Sequence, residues 1–220
     1  MELPDFRSEP INQKVYAYLK EGIIRGVYPP GQLMRETVLA LELGVSRTPV
    51  RDALRRLERD RLVVPSGSSF RVYRPTAQDV VELYECRTAL EVLAAQLASR
   101  RGPVSEHDEM ERCLAGMEEA YRRGDASAVR DLDTRFHDLL VAAAGNRTLA
   151  ELMEHIHYRI AQLRNMARDL RIDGATVLDQ HRRILEAVRS GNALAAENVV
   201  REHLAMVREA LLGRIREQGG

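Results

Sequence analysis

Long hydrophobic runs, cysteine pairs and an excess of charge of either sign are all missing from this chain of 220 residues. No apolar run approaches the length of about 20 residues that a membrane-spanning helix needs. The first ten residues lack the apolar segment of a signal peptide. Cys86 and Cys113 stand alone, without the paired spacing of a metal site. We therefore expect a cytoplasmic protein with no membrane partner.

The net charge of zero conceals an uneven distribution along the chain. Residues 1–75 hold 13 Lys and Arg against 9 Asp and Glu, a net charge of +4, whereas residues 76–220 hold 20 against 24, a net charge of −4. The N-terminal part can therefore attract phosphate, and the C-terminal part cannot. We expect two domains with different partners, 1–75 and 76–220.

The stretch Val45–Leu57 predicts a short helix with one apolar and one basic side. Ser46 is placed to accept a backbone N–H as the N-cap residue, and Pro49 falls in the first turn, where its missing N–H costs little. The basic side carries Arg47, Arg51 and Arg55. Such a row suits guanine edges in the major groove. On this segment alone, a solvated arginine-rich face is an equally good interpretation.

The flanking sequence places this helix in a larger motif. Helices are predicted from Ile11 to about Gly26 and over about 36–43, and the second ends at Gly44, which suits a left-handed C′ position. Apolar segments near 62–64 and 70–73 predict a small hairpin, or wing. Two short helices joined by a tight turn, with a hairpin after them, predict a winged helix-turn-helix.

From Thr76 onward the pattern is helical, and no strand signal of any length follows Tyr73. Six helices are predicted near 77–101, 106–123, 126–144, 148–170, 177–190 and 193–214. The expected fold class is therefore mainly α: an N-terminal winged helix-turn-helix followed by an all-α antiparallel bundle of about six helices.

Three histidines and one aspartate are candidates for a metal site. Asp133 and His137 are one helical turn apart on an apolar face, and His181 and His203 lie on the inner faces of the last two helices. His181 comes ten residues before the turn at Gly191 and His203 twelve after it, so at ~1.5 Å per residue they lie at similar depth. These side chains can bind a divalent metal ion. The alternative is that each histidine is an ordinary core residue with a hydrogen-bonded ring.

Two arginines also face the predicted core. Arg87 and Arg159 each share a helix face with apolar residues, and a buried guanidinium needs an anionic partner. For Arg87 that partner is either Glu91, four residues on, or the carboxylate of a small effector. For Arg159 it is either an interhelical salt bridge or the same effector.

The N-terminal motifs resemble the DNA-binding domain of the GntR family of bacterial transcription regulators. The resemblance lies in the Tyr-Pro-Pro-Gly turn at 28–31, in Gly-Val-Ser-Arg-Thr-Pro-Val-Arg at 44–51 and in Ala-Leu-Arg-Arg-Leu at 53–57. It implies that Arg47, Thr48 and Arg51 contact the operator, and helix geometry alone adds Arg55. Ser69 stands where the wing usually carries glycine.

The C-terminal motifs resemble the FCD-type effector domain of the FadR subgroup of this family. The matching motifs are Leu-Tyr-Glu-Cys-Arg at 83–87, Asp-Thr-Arg-Phe-His at 133–137, Gln-His at 180–181 and Arg-Glu-His-Leu at 201–204. The metal ligands of that subgroup fall on Asp133, His137, His181 and His203. The resemblance also favours effector binding by Arg87 and Arg159.

We therefore expect a DNA-binding transcription regulator, a repressor, and not an enzyme. A homodimer would bind a palindromic operator in double-stranded DNA, because a single short helix reads too few bases. A small organic acid, bound with a divalent transition metal, would control that binding. Zinc is the first choice of metal, with nickel or manganese as alternatives.

Two other functions fit parts of the sequence. One is a metal-dependent enzyme that uses the Asp/His cluster, although no residue is clearly placed as a general base and the basic helix would have no role. The other is a helical scaffold with a purely structural metal.

Overall fold

The computed structural model describes residues 10–166 and 172–219. Within these ranges the helices are α1 (Ile11–Ile24), α2 (Glu36–Leu43), α3 (Arg47–Arg59), α4 (Ala77–Arg101), α5 (Val104–Arg122), α6 (Ala126–Ala143), α7 (Arg147–Met166), α8 (Gly174–Arg189) and α9 (Ala193–Gly219). The strands are β1 (Leu33–Met34), β2 (Val63–Ser66) and β3 (Ser69–Val72). The predicted fold class, a winged helix-turn-helix and a helical bundle, is confirmed.

The described residues divide into two compact units. The first unit lies within Met1–Thr76 and His157–Arg168, and the second within Ala77–Ile156 and Asp169–Gly220. No helix in the described ranges is long and apolar enough to cross a membrane.

The first unit contains an antiparallel sheet in the order β1-β3-β2. The hairpin of β2 and β3 is the predicted wing, whereas β1 was not predicted, because two residues are too few to show an alternating pattern. The Gly31 N–H donates to the Val72 carbonyl and the Val72 N–H to the Gln32 carbonyl, both at 2.9 Å. These bonds hold β1 at the edge of the wing.

The turn between α2 and α3 sets the angle of the basic helix. Gly44 has φ 64° and ψ 32°, a left-handed conformation that favours glycine, and the Val45 N–H donates to the Ala40 carbonyl at 3.0 Å. Ser46 is the N-cap residue of α3, as expected, but its side chain makes no cap hydrogen bond within the described residues. The prediction of this hydrogen bond is wrong. A cap side chain usually accepts from the N–H of the second or third helical residue, and the third residue here is Pro49, which has no N–H.

The apolar side of α3 forms much of the core of the first unit. Val50, Leu54 and Leu57 are completely buried, and they belong to the same cluster as Val15 and Leu19 of α1. The opposite side of α3 is therefore left in solvent. This is the arrangement that the spacing of apolar residues predicts.

Helices α4 to α9 contribute to the second unit, in which α5 packs on α6, and α9 packs on both α4 and α8. Helix α8 begins at Gly174 and not near 177, because the Asp173 carboxylate accepts the N–H groups of Ala175 and Thr176. Helix α9 extends to Gly219, beyond the predicted end at 214. Residues 167–170 of the predicted helix 148–170 lie outside the described ranges.

Candidate metal centre and DNA-binding helix

Four side chains from three helices meet in the core of the second unit. Asp133 and His137 lie one turn apart on α6, His181 is on α8 and His203 is on α9. All four are buried, and one ligand atom from each lies within 4.8 Å of the others. The structure thus brings together the complete set that the sequence singled out.

The imidazole Nε2 atoms of the three histidines are directed to the same place. The Nε2 atoms of His181 and His137 lie 3.1 Å and 3.9 Å from Oδ1 of Asp133. The ring centroids of His203 lie 4.7 Å from His181 and 5.2 Å from His137. All three Nε2 atoms are buried with no hydrogen-bond partner among the residues that the structure describes. Such atoms are costly in a protein core unless another group binds them.

The opposite nitrogen of each ring is held by an oxygen. His137 Nδ1 lies 2.6 Å from Oε2 of Glu91, His181 Nδ1 2.8 Å from the Val177 carbonyl, and His203 Nδ1 3.0 Å from Oε1 of Gln180. Carbonyl and carboxylate oxygens accept, so Nδ1–H is the donor in each ring. In a neutral imidazole this leaves the Nε2 lone pair directed into the cluster, which is the tautomer that a metal ligand requires.

Electrostatics favour the neutral forms of His203 and His137. Burial lowers the pKa of His203 well below its ordinary value, and the neighbouring rings of His181 and His137 lower it further. Burial also lowers the pKa of His137, although Glu91 opposes this shift. Neutral imidazole nitrogens and one carboxylate oxygen form a donor set that suits zinc and other divalent transition metals.

The predicted effector residue Arg87 lies beside this cluster and is paired within its own helix. Its side chain is 2% exposed, and Nε lies 2.6 Å from Oε1 of Glu91, whose side chain is fully buried. Burial disfavours ionisation of Glu91, but Arg87 and then His137 outweigh it and hold the pKa of Glu91 below its usual range. Arg87 Nη1 also donates to the Tyr84 hydroxyl at 3.2 Å. The structure therefore contains the i, i+4 pair that the sequence offered as one alternative.

Glu91 and Gln180 hold two of the candidate metal ligands in position, and the sequence alone did not predict this role. The sequence indicates Glu91 only as a partner of Arg87, because the contact of Glu91 with His137 spans 46 positions. Gln180 directly precedes His181, but its hydrogen bond goes to His203, on a different helix.

Arg159, the second predicted effector residue, is half-buried on α7, in the part of that helix that belongs to the first unit.

The candidate DNA contacts lie on the solvent side of α3. Arg47, Thr48, Arg51 and Arg55 are all exposed. Arg55 also lines a groove that Arg56, Arg59 and the wing residue Phe70 share. A basic helix face beside a wing is the architecture of a DNA-binding protein.

These features define a class: a winged helix-turn-helix protein with a separate helical unit, as in one-component transcription regulators. Comparison with known proteins specifies the family. The profile of bacterial regulatory proteins of the gntR family matches residues 11–72, and that of the FCD domain matches residues 82–206. The chain therefore belongs to the GntR family and carries an FCD domain.

Individual proteins agree with this assignment. The chain is 36% identical over 209 residues to the HTH-type transcriptional regulator YdhC of Bacillus subtilis, covering 91% of this chain and 92% of that protein. It is 26% identical over 206 residues to the HTH-type transcriptional repressor RspR of Escherichia coli, covering 93% and 90%. A crystal structure of a GntR transcriptional regulator from Rhodococcus sp. RHA1 superposes with a TM-score of 0.78 at 28% identity, covering 92% and 97%. The protein is therefore a DNA-binding transcription regulator and not an enzyme.

Proposed function

We propose that this regulator is a repressor whose operator binding is controlled by a small carboxylate, bound with a divalent transition metal in the C-terminal domain. The N-terminal domain, 1–75, binds DNA, and the domain 76–220 binds the effector and forms the dimer. One observation carries the metal proposal. Three buried Nε2 atoms converge on Asp133 without hydrogen-bond partners in the described part of the chain, while every Nδ1 is held by an oxygen.

At the DNA-binding end, the exposed side chains of Arg47, Thr48, Arg51 and Arg55 enter the major groove. Guanidinium groups match guanine edges, and the N-terminal end of α3 suits phosphate. One helix of this length reads too few bases for useful specificity, so we propose that a homodimer binds a palindromic operator.

At the effector end, Asp133, His137, His181 and His203 would hold the metal, with zinc as first choice and nickel or manganese as alternatives. When bound, the ion supplies a positive charge that attracts an effector carboxylate. Arg87 is the proposed partner of the same carboxylate, and effector binding by Arg159, which belongs to the first unit, stays a prediction. Because Arg87 is already paired with Glu91, the effector would share this guanidinium with Glu91.

A structural metal is the second candidate function of the cluster. It is favoured by the burial of the ligands, since His181 and His203 are both 0% exposed. In that case the ion would join α6, α8 and α9 without binding an effector. The two functions predict different responses to small carboxylates.

The test begins with the metal itself. Zinc, nickel and manganese binding to the full-length, chelator-treated protein is measured by calorimetry for the wild type, for His137→Ala/His181→Ala and for the control His155→Ala, whose side chain is exposed. We expect the double variant to lose metal binding and the control to retain it. Stoichiometric binding by the double variant would refute the site.

A thermal-shift screen of small carboxylates, with and without the metal that binds, then separates the two functions. A saturating effector is expected to raise Tm by several degrees only when the metal is present. The same compound should change the affinity for DNA. If the metal alone raises Tm and no carboxylate adds to it, the metal is structural.

A further inference from the structure

The recognition helix does not present its arginines alone, because a carboxylate from α2 is paired with two of them. Glu36 Oε2 lies 3.1 Å from Nη2 of Arg51 and 3.4 Å from Nη2 of Arg47. Arg51 Nε also lies 3.2 Å from both oxygens of Glu36. We propose that Glu36 is a specificity-determining residue of this regulator, a positioning residue that orients the guanidinium groups of Arg47 and Arg51 for base recognition. The inference rests on the proposed role of these arginines in the major groove.

The fold explains why Glu36 can reach both arginines. Glu36 is the first residue of α2, on the side of the helix that carries the buried Leu39 and Ala40. The left-handed turn at Gly44 brings the first turn of α2 beside the first turns of α3. The side chain of Glu36 is 14% exposed, whereas those of Arg47 and Arg51 are 59% and 46% exposed. A largely enclosed carboxylate thus anchors two side chains that reach into solvent.

The geometry leaves Arg51 able to bind a base at the same time. Glu36 uses the edge of the guanidinium formed by Nε and Nη2. Nη1 and the second hydrogen of Nη2 form another edge that takes no part in this pairing, and a guanidinium fork of this kind recognises O6 and N7 of guanine. Pairing with Glu36 also restricts the rotamers of a long flexible side chain before DNA binds, which reduces the entropic cost of binding.

The charge of Glu36 has a second effect on specificity. Hydrogen bonds from Arg51 lower the pKa of Glu36, against the opposing effect of burial, so the carboxylate is ionised at neutral pH. A negative charge beside the arginines repels a phosphate that approaches them without a matching base. Glu36 therefore weakens non-specific contacts while it favours the sequence-specific one.

The test needs a DNA probe that does not depend on a known operator. The full-length wild-type protein is used to select duplexes from a pool with a randomised central segment. The best selected duplex and a scrambled duplex of the same composition then serve as probes at one ionic strength. The measured quantity is the dissociation constant for the scrambled duplex divided by that for the selected duplex. It is determined for the wild type, for Glu36→Gln and for the control Glu42→Gln. Glu42 is an exposed residue of the same helix, and its substitution removes the same charge.

We expect Glu36→Gln to reduce this ratio by about tenfold, through weaker binding to the selected duplex and unchanged or tighter binding to the scrambled one. Glu42→Gln should retain the wild-type ratio. In an Arg51→Ala background, Glu36→Gln should have a smaller effect than in the wild type, because one of the two arginines that it positions is gone. Thermal unfolding of each variant verifies that it is folded.

Equal ratios for Glu36→Gln and the wild type, or an undiminished effect in the Arg51→Ala background, would overturn the role of Glu36 while leaving the DNA-binding function intact. Failure of the wild-type protein to select any sequence would overturn both. These outcomes distinguish the inference from the function on which it rests.

Discussion

Oε2 of Glu91, on α4, lies 2.6 Å from Nδ1 of His137, on α6, although 46 positions separate the two residues. Oε1 of the same carboxylate accepts a hydrogen bond from Nε of Arg87, also at 2.6 Å. One buried carboxylate therefore joins a guanidinium to the outer nitrogen of a candidate metal ligand. Glu91 orients the ring, and Arg87 supplies the charge that keeps Glu91 ionised in the core.

Glu91→Gln is expected to weaken metal binding by about 10- to 100-fold, because an amide holds the Nδ1–H of His137 less strongly than a carboxylate does. It should also lower the free energy of unfolding by about 3 kcal/mol, since Arg87 loses its buried partner. Zinc calorimetry and urea unfolding measure the two effects. Glu85→Gln is the matched control, because Glu85 lies exposed on the same helix. Equal zinc affinity in both variants would contradict the role of Glu91.

Substitution of the arginines on α3 tests the groove assignment. Arg47→Ala and Arg51→Ala should each weaken binding to a selected duplex by about 1–3 kcal/mol without changing the unfolding transition, because both side chains are exposed. Fluorescence anisotropy at one salt concentration measures the loss. Arg201→Ala, on α9, is the control, since Arg201 is also exposed and lies outside the DNA-binding domain. Unchanged binding of both α3 variants would refute the assignment.

The left-handed turn before α3 can be tested by unfolding. A Cβ atom added at Gly44 would meet nothing within 4 Å, so the cost of Gly44→Ala comes from the backbone conformation, with φ 64°. We expect a loss of about 1 kcal/mol and a smaller loss for Gly44→Asn, because asparagine tolerates this conformation better.

Gly213→Ala is the matched control for the turn. Gly213 lies within α9, where an added Cβ would also meet nothing within 4 Å. Alanine is favoured over glycine in a helix, so this variant should gain about 0.5–1 kcal/mol. A loss at Gly213 as large as that at Gly44 would show that the turn has no special requirement for glycine.

Tyr28 predicts a dependence of stability on alkaline pH. Burial, together with the neighbouring Tyr18 and Glu42, raises the pKa of Tyr28 to about 12. The folded state therefore favours the neutral phenol, whose contribution is complete below the unfolded pKa of about 10 and is lost as pH rises to about 12. Over this window the free energy of unfolding should fall by about 2 kcal/mol more in the wild type than in Tyr28→Phe. Urea unfolding measures this free energy, and an equal fall in the wild type and in Tyr28→Phe would contradict the role of Tyr28.

Periodicity along the chain was sufficient to predict most helices, the wing hairpin and the inward direction of the candidate ligands. Asp133 and His137 share a helix face because they are four residues apart, and the turn at Gly191 places His181 and His203 at similar depth. Hydrophobic spacing also determines which side of α3 is buried, and therefore which arginines are exposed. These properties depend on local geometry, which the order of residues specifies directly.

The tertiary structure alone decided which side chains support these residues. Glu91 with His137, Gln180 with His203 and Glu36 with Arg51 are pairs in which each partner comes from a different helix. Their distances depend on how helices rotate and shift against one another as their apolar faces pack, and no spacing within one helix encodes that. The sequence by itself therefore determined the candidate ligands and the basic helix, and only the packing decided which carboxylate and amide groups hold them in position.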